Sequence, residues 1–487
     1  QSFLVTNPPS LEKVLPTKGE VGAKADSLWI AMSRGEYEPV QIVVHPKENY
    51  LQAVRVSVSS LIGPGRGEIP TDRIVVNPMG FIHIESPGRG WSRLIKSDGG
   101  EVPDVLLPNR PMDVSARRQQ PFYVTVQSLH TDPPGEYHGT VMVSADGEKP
   151  IEIPLVVRIY DIDLPIRSHL RTAFGLDSGY RKIQDTNAGM DLDSLLRYAK
   201  FMLKHRISPC VYGSSYKNTK VPPRKGEDGV WDFAGLDRYL SELVPLGLTT
   251  YYTGTMGGTY QEPGDATYAE HLKQGGWWDL AYVYMYDEAP MKELHKLRGS
   301  YEHLARTVPG VKNVQVGWSP TKVLKGLVNM WCPLISHADL AAIRAVQEHG
   351  NEVWWYTWDG PWAPYPNICH IDDPGIPTRI MGWMTYFYRI QGFLYWSVDV
   401  WDTHPNREAG ERLTAEEYDL ANYANWKPNT YGKTSSGYPR NGDGYLLYPG
   451  KENIPIASLR LAMVRDGFED YDLLKEVEAL ATGDSAT

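Results

Sequence analysis

The sequence predicts a multidomain protein: an N-terminal all-β sandwich followed by an α/β (β/α)8 barrel of the TIM type. Three observations lead there. Short alternating runs separated by Gly/Pro turns recur over residues 1–165. From Arg171 onward the pattern changes to an apolar run followed by an amphipathic one, and eight such apolar runs can be counted. The fourth of them, 280–286 (LAYVYMY), stops abruptly at the adjacent acids Asp287 and Glu288.

The sandwich strands are expected at 27–32, 40–44, 54–58, 73–77, 81–85, 121–128, 139–144 and 151–160. Turn chemistry separates them: GPG at 63–65, DGG at 98–100, DPPG at 132–135 and DG at 146–147. The stretch 161–165 (DIDLP) closes the last strand and reads as a linker, dividing a sandwich domain (1–165) from a barrel domain (166–487). A packing role is expected for the first domain.

Barrel strands are expected at 171–176, 207–213, 248–254, 280–287, 313–318, 328–333, 351–358 and 391–397. Helices are expected at 191–206, 232–246, 290–307, 338–349, 375–390 and 457–480, with weaker signals after strands three and five. In the first, Asp191 and Asp193 are cap candidates, and Leu192, Leu195, Leu196, Ala199, Met202 and Leu203 form one apolar face. Two insertions stand out: a Lys/Pro-rich loop at 214–230, and a long Tyr- and Trp-rich loop after strand eight, 398–456, expected to wall the barrel mouth.

Composition narrows the function. The net charge is −10 without a basic stripe, which argues against nucleic acid as a partner. No apolar run approaches the roughly 20 residues that span a bilayer. The chain begins at Gln1 rather than Met. Export with a removed signal and a cytoplasmic location therefore both stay open. Three widely spaced cysteines, Cys210, Cys332 and Cys369, suggest neither a disulfide framework nor a zinc site. The chain has 15 Trp and 30 Tyr against 9 Phe. Aromatics that pair a flat apolar face with a polar edge suit sugar rings, which are apolar on their C–H faces and rimmed by hydroxyls.

Acids at the C-terminal end of a barrel strand read as catalytic, although an Asp-Glu pair before a helix also serves as a cap. Pro290 is placed to open the following helix. Glycosidases need a group that protonates the leaving oxygen and another that handles the anomeric carbon. Neighbouring residues on extended backbone point in different directions, so Asp287 and Glu288 can approach one sugar from two sides. An adjacent pair suits substrate-assisted catalysis, in which the sugar's own 2-acetamido oxygen attacks. Asp287 then orients the acetamido N–H, and Glu288 acts as acid and then base. Among aromatics and acids at strand ends, Tyr356, Trp358, Trp396, Asp399 and Trp318 are the expected substrate contacts. No metal site, P-loop or nucleophile elbow is present as a motif, so no cofactor is expected.

These residues resemble glycoside hydrolase family 123, the β-N-acetylgalactosaminidases. The resemblance rests on RGEYEPVQ at 34–41, PGEYHGT at 134–140, WDF at 231–233, YDE at 286–288, EVWWY at 352–356, YLLYPG at 445–450 and LRLAMVRDGFEDY at 459–471. The last is the most specific, and its helical acids are expected to form ion pairs. The resemblance implies a sandwich plus barrel, retention of configuration and no cofactor. It maps the acetamido-orienting Asp onto Asp287 and the acid/base Glu onto Glu288. In the family a proline commonly follows the pair directly; here Ala289 intervenes. The expected substrate is a glycan or glycolipid ending in β-GalNAc. A glycosidase of another specificity (β-GlcNAc or a sugar without the acetamido group) and a non-catalytic carbohydrate-binding protein remain alternatives.

Overall fold

Alternation in the N-terminal strands resolves into two β-sheets over one core in the computed structural model. The structure describes all residues except 1, 18, 91–93, 96–98, 177–189, 212–218, 220, 222, 254–265, 401–428, 434–436, 449, 451–453 and 484–487. One sheet runs in the order Ala23–Lys24, Phe3–Asn7, Tyr37–Pro46, Gln120–Gln127, Ile74–Ile84, Gly100–Leu106. The other follows Met112–Val114, Leu51–Val58, Gly135–Ser144, Ile151–Asp163, Leu28–Arg34. Period-two patterning puts Leu28, Ile30 and Met32 in the shared core and leaves Trp29 outside.

The expected breaks at 78–80 do not occur. Residues 73–77 and 81–85 belong to a single strand, Ile74–Ile84, which runs through Pro78 and shifts register between Gly80 and Phe81. A bulge absorbs the irregularity that reads as a turn in sequence. The strands Phe3–Asn7 and Gly100–Leu106 were not expected. The second contains Pro103, which demotes a run to an edge strand, and an edge is where it lies.

The other face of the first sheet is buried as well. Met79, Ile82, Val102, Val105 and Tyr123 join one apolar cluster with Leu447, Leu461 and Val464 from the closing segment. The helix Leu459–Thr482 is capped by Ser458, whose side chain accepts from the Leu461 amide, and its first fourteen residues are all buried. Its charged residues form the expected ion pairs. Arg460 Nη2 lies 2.9 Å from Asp104 Oδ2, with both side chains fully buried. Asp470 takes both arms of Arg379 at 2.8 and 2.9 Å, and Glu469 Oε1 accepts from the Tyr37 amide.

The C-terminal region holds eight parallel strands: Arg171–Leu176, Pro209–Val211, Tyr251–Tyr252, Ala281–Tyr286, Lys312–Gly317, Met330–Pro333, Glu352–Thr357 and Gly392–Tyr395. Strand one pairs with both two and eight, and the ladder continues from three to eight. The ring is nearly closed. Among the described residues, strands two and three share no ladder. Side chains stitch that seam instead: the Ser208 and Thr249 hydroxyls lie 2.8 Å apart, and the Thr249 amide donates to Ser208 Oγ. Every connection but the one after strand five carries an α-helix; there a 3-10 turn, Lys322–Leu324, stands in its place. Alternation divides the barrel residues cleanly. Ala173, Cys210, Tyr282, Tyr284, Val316, Cys332, Trp354, Tyr356 and Leu394 fill the interior, while Phe174, Val283, Trp355 and Phe393 face the helices.

Candidate active site

Strand four positions both acids by breaking its own alternation. Tyr282 and Tyr284 point into the barrel, so strict period two would bring Tyr286 inward and turn Asp287 out. The register with strand five slips at this point: Tyr284 pairs with Val314, but Tyr286 pairs with Gln315. Two residues advance against one, which is a bulge. Tyr286 is thereby turned outward. Its hydroxyl donates to Ser300 Oγ at 2.9 Å, and its ring lies 6.3 Å from that of Tyr301 on the following helix. Asp287 takes the inward direction, and its Oδ1 accepts from the Tyr284 hydroxyl at 2.7 Å. The charge of Asp287 also reaches Cys332 on strand six, whose thiol is pushed well up by burial first and Asp287 second.

Glu288 has a φ of +43°, a left-handed conformation that costs a glutamate on the order of 1–3 kcal/mol. Such strain persists where neighbours over-determine it. The neighbour here is Gly317, the last residue of strand five, at φ +106°. A Cβ on Gly317 would sit 3.1 Å from Glu288 Cα. Turned this way, Glu288 receives the hydroxyl of Tyr356 from strand seven. That phenol is driven far above its usual range by burial and then by the bond to Glu288. Both acids are solvent-exposed at the C-terminal end of the strand. Two tyrosines on different strands thus hold two adjacent carboxylates on different bearings.

Trp318 donates its Nε1 to the Ala289 carbonyl at 2.8 Å and stacks on His337 at 5.4 Å. It pins the turn that follows the acids. The helix expected at Pro290 opens instead as a 3-10 turn, Met291–Glu293, and becomes α-helical from Leu294. Trp358, half-buried, packs on the interior cluster that includes Tyr356. Trp396 is half-buried, and its Nε1 donates to Asp443 Oδ1 at 2.9 Å. Burial raises the Asp443 carboxyl to about 6. Asp399 is fully buried, with Ser397 Oγ 3.4 Å away. Tyr356 therefore joins the acids directly, Trp318 does so through the turn, Trp358 packs on the interior cluster, and Trp396 and Asp399 belong to the segment beside Asp443.

Sequence reasoning missed Tyr284 and Gly317. Tyr284 had a signal, since it shares the inward parity of Tyr282 in LAYVYMY. Gly317 had none, because its role depends on a residue from the preceding strand. Asp177, the GTMGG loop at 254–258, part of 214–230 and much of 398–456 lie outside the described residues, as does His404. His370 is buried between Asp373 and the Asp359 carbonyl, in keeping with a packing role. Among the described residues no cluster of three or more His, Cys, Asp or Glu side chains is arranged to hold a metal ion.

Residues 266–477 match the family described as glycoside hydrolase 123, catalytic domain. This stretch contains both acids, Gly317 and Tyr356. No curated protein matches the chain. Among solved structures, a family 123 glycoside hydrolase from Clostridium perfringens is similar over 99% of this chain and 90% of its own, with a TM-score of 0.69 at 15% identity. That likeness supports the arrangement of an all-β region followed by a barrel. A family 39 glycoside hydrolase from Bacteroides cellulosilyticus WH2 matches over 91% of this chain and 81% of its own at 10% identity, but its TM-score of 0.35 carries no weight. Residues 266–477, which hold the acid pair, match a family 123 catalytic domain, and the chain is a glycoside hydrolase.

Proposed function

We propose that the protein is a retaining exo-β-N-acetylgalactosaminidase that removes terminal β-GalNAc from glycans or glycolipids by substrate-assisted catalysis. The observation that carries this reading is the adjacent acid pair itself, divided between two tyrosines. Asp287, bonded to Tyr284, is directed toward the barrel axis, while Glu288, bonded to Tyr356, is held by strand seven. In the first step the acetamido oxygen attacks the anomeric carbon while Glu288 gives its proton to the leaving oxygen. Asp287 accepts the acetamido N–H and stabilises the positive charge that develops on the oxazolinium ion. In the second step Glu288 takes a proton from water, which opens that ring with net retention.

Tyr356, Trp358, Trp318 and Trp396 are read as the aromatic surfaces against the sugar, and Asp399 as part of the wall behind Trp396. The division at residue 165 and the sandwich and TIM-type barrel classes belong to the same reading. The Clostridium perfringens family 123 enzyme hydrolyses glycolipid glycans, and that substrate class is extended to this chain here.

The test is turnover of an aryl β-GalNAc by Asp287→Asn and Glu288→Gln. Each should lose about 10²–10⁴-fold in kcat while remaining folded. Full activity in both variants would remove the mechanism. An aryl glycoside panel with GalNAc, GlcNAc and hydroxyl-bearing sugars tests the specificity.

A further inference from the structure

A line of aromatic contacts leads outward from the acid pair to an arginine supplied by the N-terminal β region. Glu288 is bonded to Tyr356, a member of the interior cluster against which Trp358 packs. Beyond it the chain turns at Gly360. The position a Cβ would take there lies 3.8 Å from Trp358 Nε1 and 3.9 Å from Trp362 Cζ2, so the two indoles flank one point. Over the Trp362 ring, at 4.3 Å, lies the guanidinium of Arg89, which is 5.8 Å from the Tyr438 ring. Arg440 lies over the Trp358 ring in the same way, at 5.5 Å.

The position of Arg89 is built. It sits between two glycines that clip its loop to the segment after strand seven. The Gly88 amide donates to Asp372 Oδ2 at 2.6 Å, and a Cβ on Gly90 would meet Asp373 Oδ1 at 2.6 Å. Asn441 Nδ2 donates to the Ser86 carbonyl at 3.0 Å. Arg89 itself is exposed and forms no ion pair or hydrogen bond among the described residues. Cations already stand among the buried acids behind it. Both ring nitrogens of His370 face acceptors only, Asp373 Oδ2 at 3.0 Å and the Asp359 carbonyl at 2.8 Å, so the ring is held as the cation. Arg440 Nε lies 3.9 Å from Asp359 Oδ2, and Lys13 Nζ donates to the Ile371 carbonyl at 2.8 Å. A stacked guanidinium keeps its N–H edge for a planar anion, and arginine suits carboxylate and sulfate-like groups through paired donors.

We propose that Arg89, with Trp362 and Tyr438, forms a leaving-group subsite for an anionic glycan, one whose sugar beyond the scissile bond carries a carboxylate or a sulfate ester. The proposal rests on the reading of Asp287 and Glu288 as the hydrolytic centre.

The test is calorimetric titration of the full chain with three oligosaccharides of one backbone: neutral, bearing a hexuronate, and bearing a 6-sulfate. None is cleaved, so binding is read without turnover. At low salt one of the anionic forms should bind about tenfold more tightly than the neutral form, and added salt should shrink the difference. The form that gains identifies the anion. Arg89→Gln should abolish the preference; Arg89→Lys should retain part of it. Equal affinity for neutral and anionic forms, or a preference that survives Arg89→Gln, would overturn the proposal. Failure of aryl β-GalNAc hydrolysis would instead overturn the proposed function and leave this binding result standing.

Discussion

Replacing Gly317 with alanine tests whether the backbone of strand five sets the direction of Glu288. The added methyl would lie 3.1 Å from Glu288 Cα and 3.7 Å from its Cβ and Cγ. Ordinary carbon contacts begin near 3.5 Å, so Glu288 has to retreat by roughly 0.4 Å or strand five has to move. An alanine at φ +106° adds backbone strain on the order of 1–3 kcal/mol. Catalytic groups tolerate little displacement: about 1 Å costs on the order of 10²-fold, so a shift of this size should cost about 5–20-fold in kcat. The assay is kcat on aryl glycosides whose leaving groups span a range of basicity. If Glu288 delivers the proton, the loss grows as the leaving group becomes more basic and needs protonation more. Gly326→Ala is the control, with the same sign of φ at +79° and open space around it. An equal loss across all leaving groups, or the same loss in Gly326→Ala, would show that Gly317 does not set the direction of Glu288.

Other outcomes follow from particular contacts. Tyr284→Phe removes the bond to Asp287 and should lower kcat/KM about 10–100-fold on acetamido substrates, the worth of a hydrogen bond to a charged group; an unchanged kcat/KM would contradict the positioning role. Arg460→Met strands the buried carboxylate of Asp104 and should cost about 3–5 kcal/mol in urea unfolding, while a double variant with Asp104→Leu should recover much of it. Burial, and then the charge of Glu38, pushes the Glu36 carboxyl up from 4.5 to about 8. The folded state therefore keeps a proton that the unfolded chain releases, and stability is full below pH 4.5 and falls as pH rises through 8. Glu36→Gln, which mimics the protonated form, should flatten the unfolding free energy between pH 5 and 9; a profile still as steep as the parent's would contradict this.

How far the sequence reaches can be judged at single residues. The barrel strands are legible because buried parallel strands must be short apolar runs, and LAYVYMY ending at Asp287 is such a run. The first barrel helix is legible because Asp191 caps it, accepting from the Ser194 amide. The bulge is not legible. Alternation assigns Tyr286 to the pocket, and only the slipped register with strand five reverses it. The left-handed turn at Glu288 depends on Gly317, and the partner of Trp396 is Asp443, 47 positions away. Contacts of this kind are set by three-dimensional packing and leave no local periodicity. The strand Ile74–Ile84 shows the reverse case, where Pro78 and Gly80 read as a break but the sheet accommodates both.

In the proposed mechanism the substrate's acetamido group, held by Asp287, takes the place of an enzyme nucleophile. Inhibition by a GalNAc-derived thiazoline, which copies the cyclised intermediate, measures that most directly. Competitive inhibition with a Ki far below KM, lost in Asp287→Asn, is the expected result. Absence of inhibition, together with a covalent glycosyl ester trapped on a carboxylate by a fluorinated substrate, would contradict it.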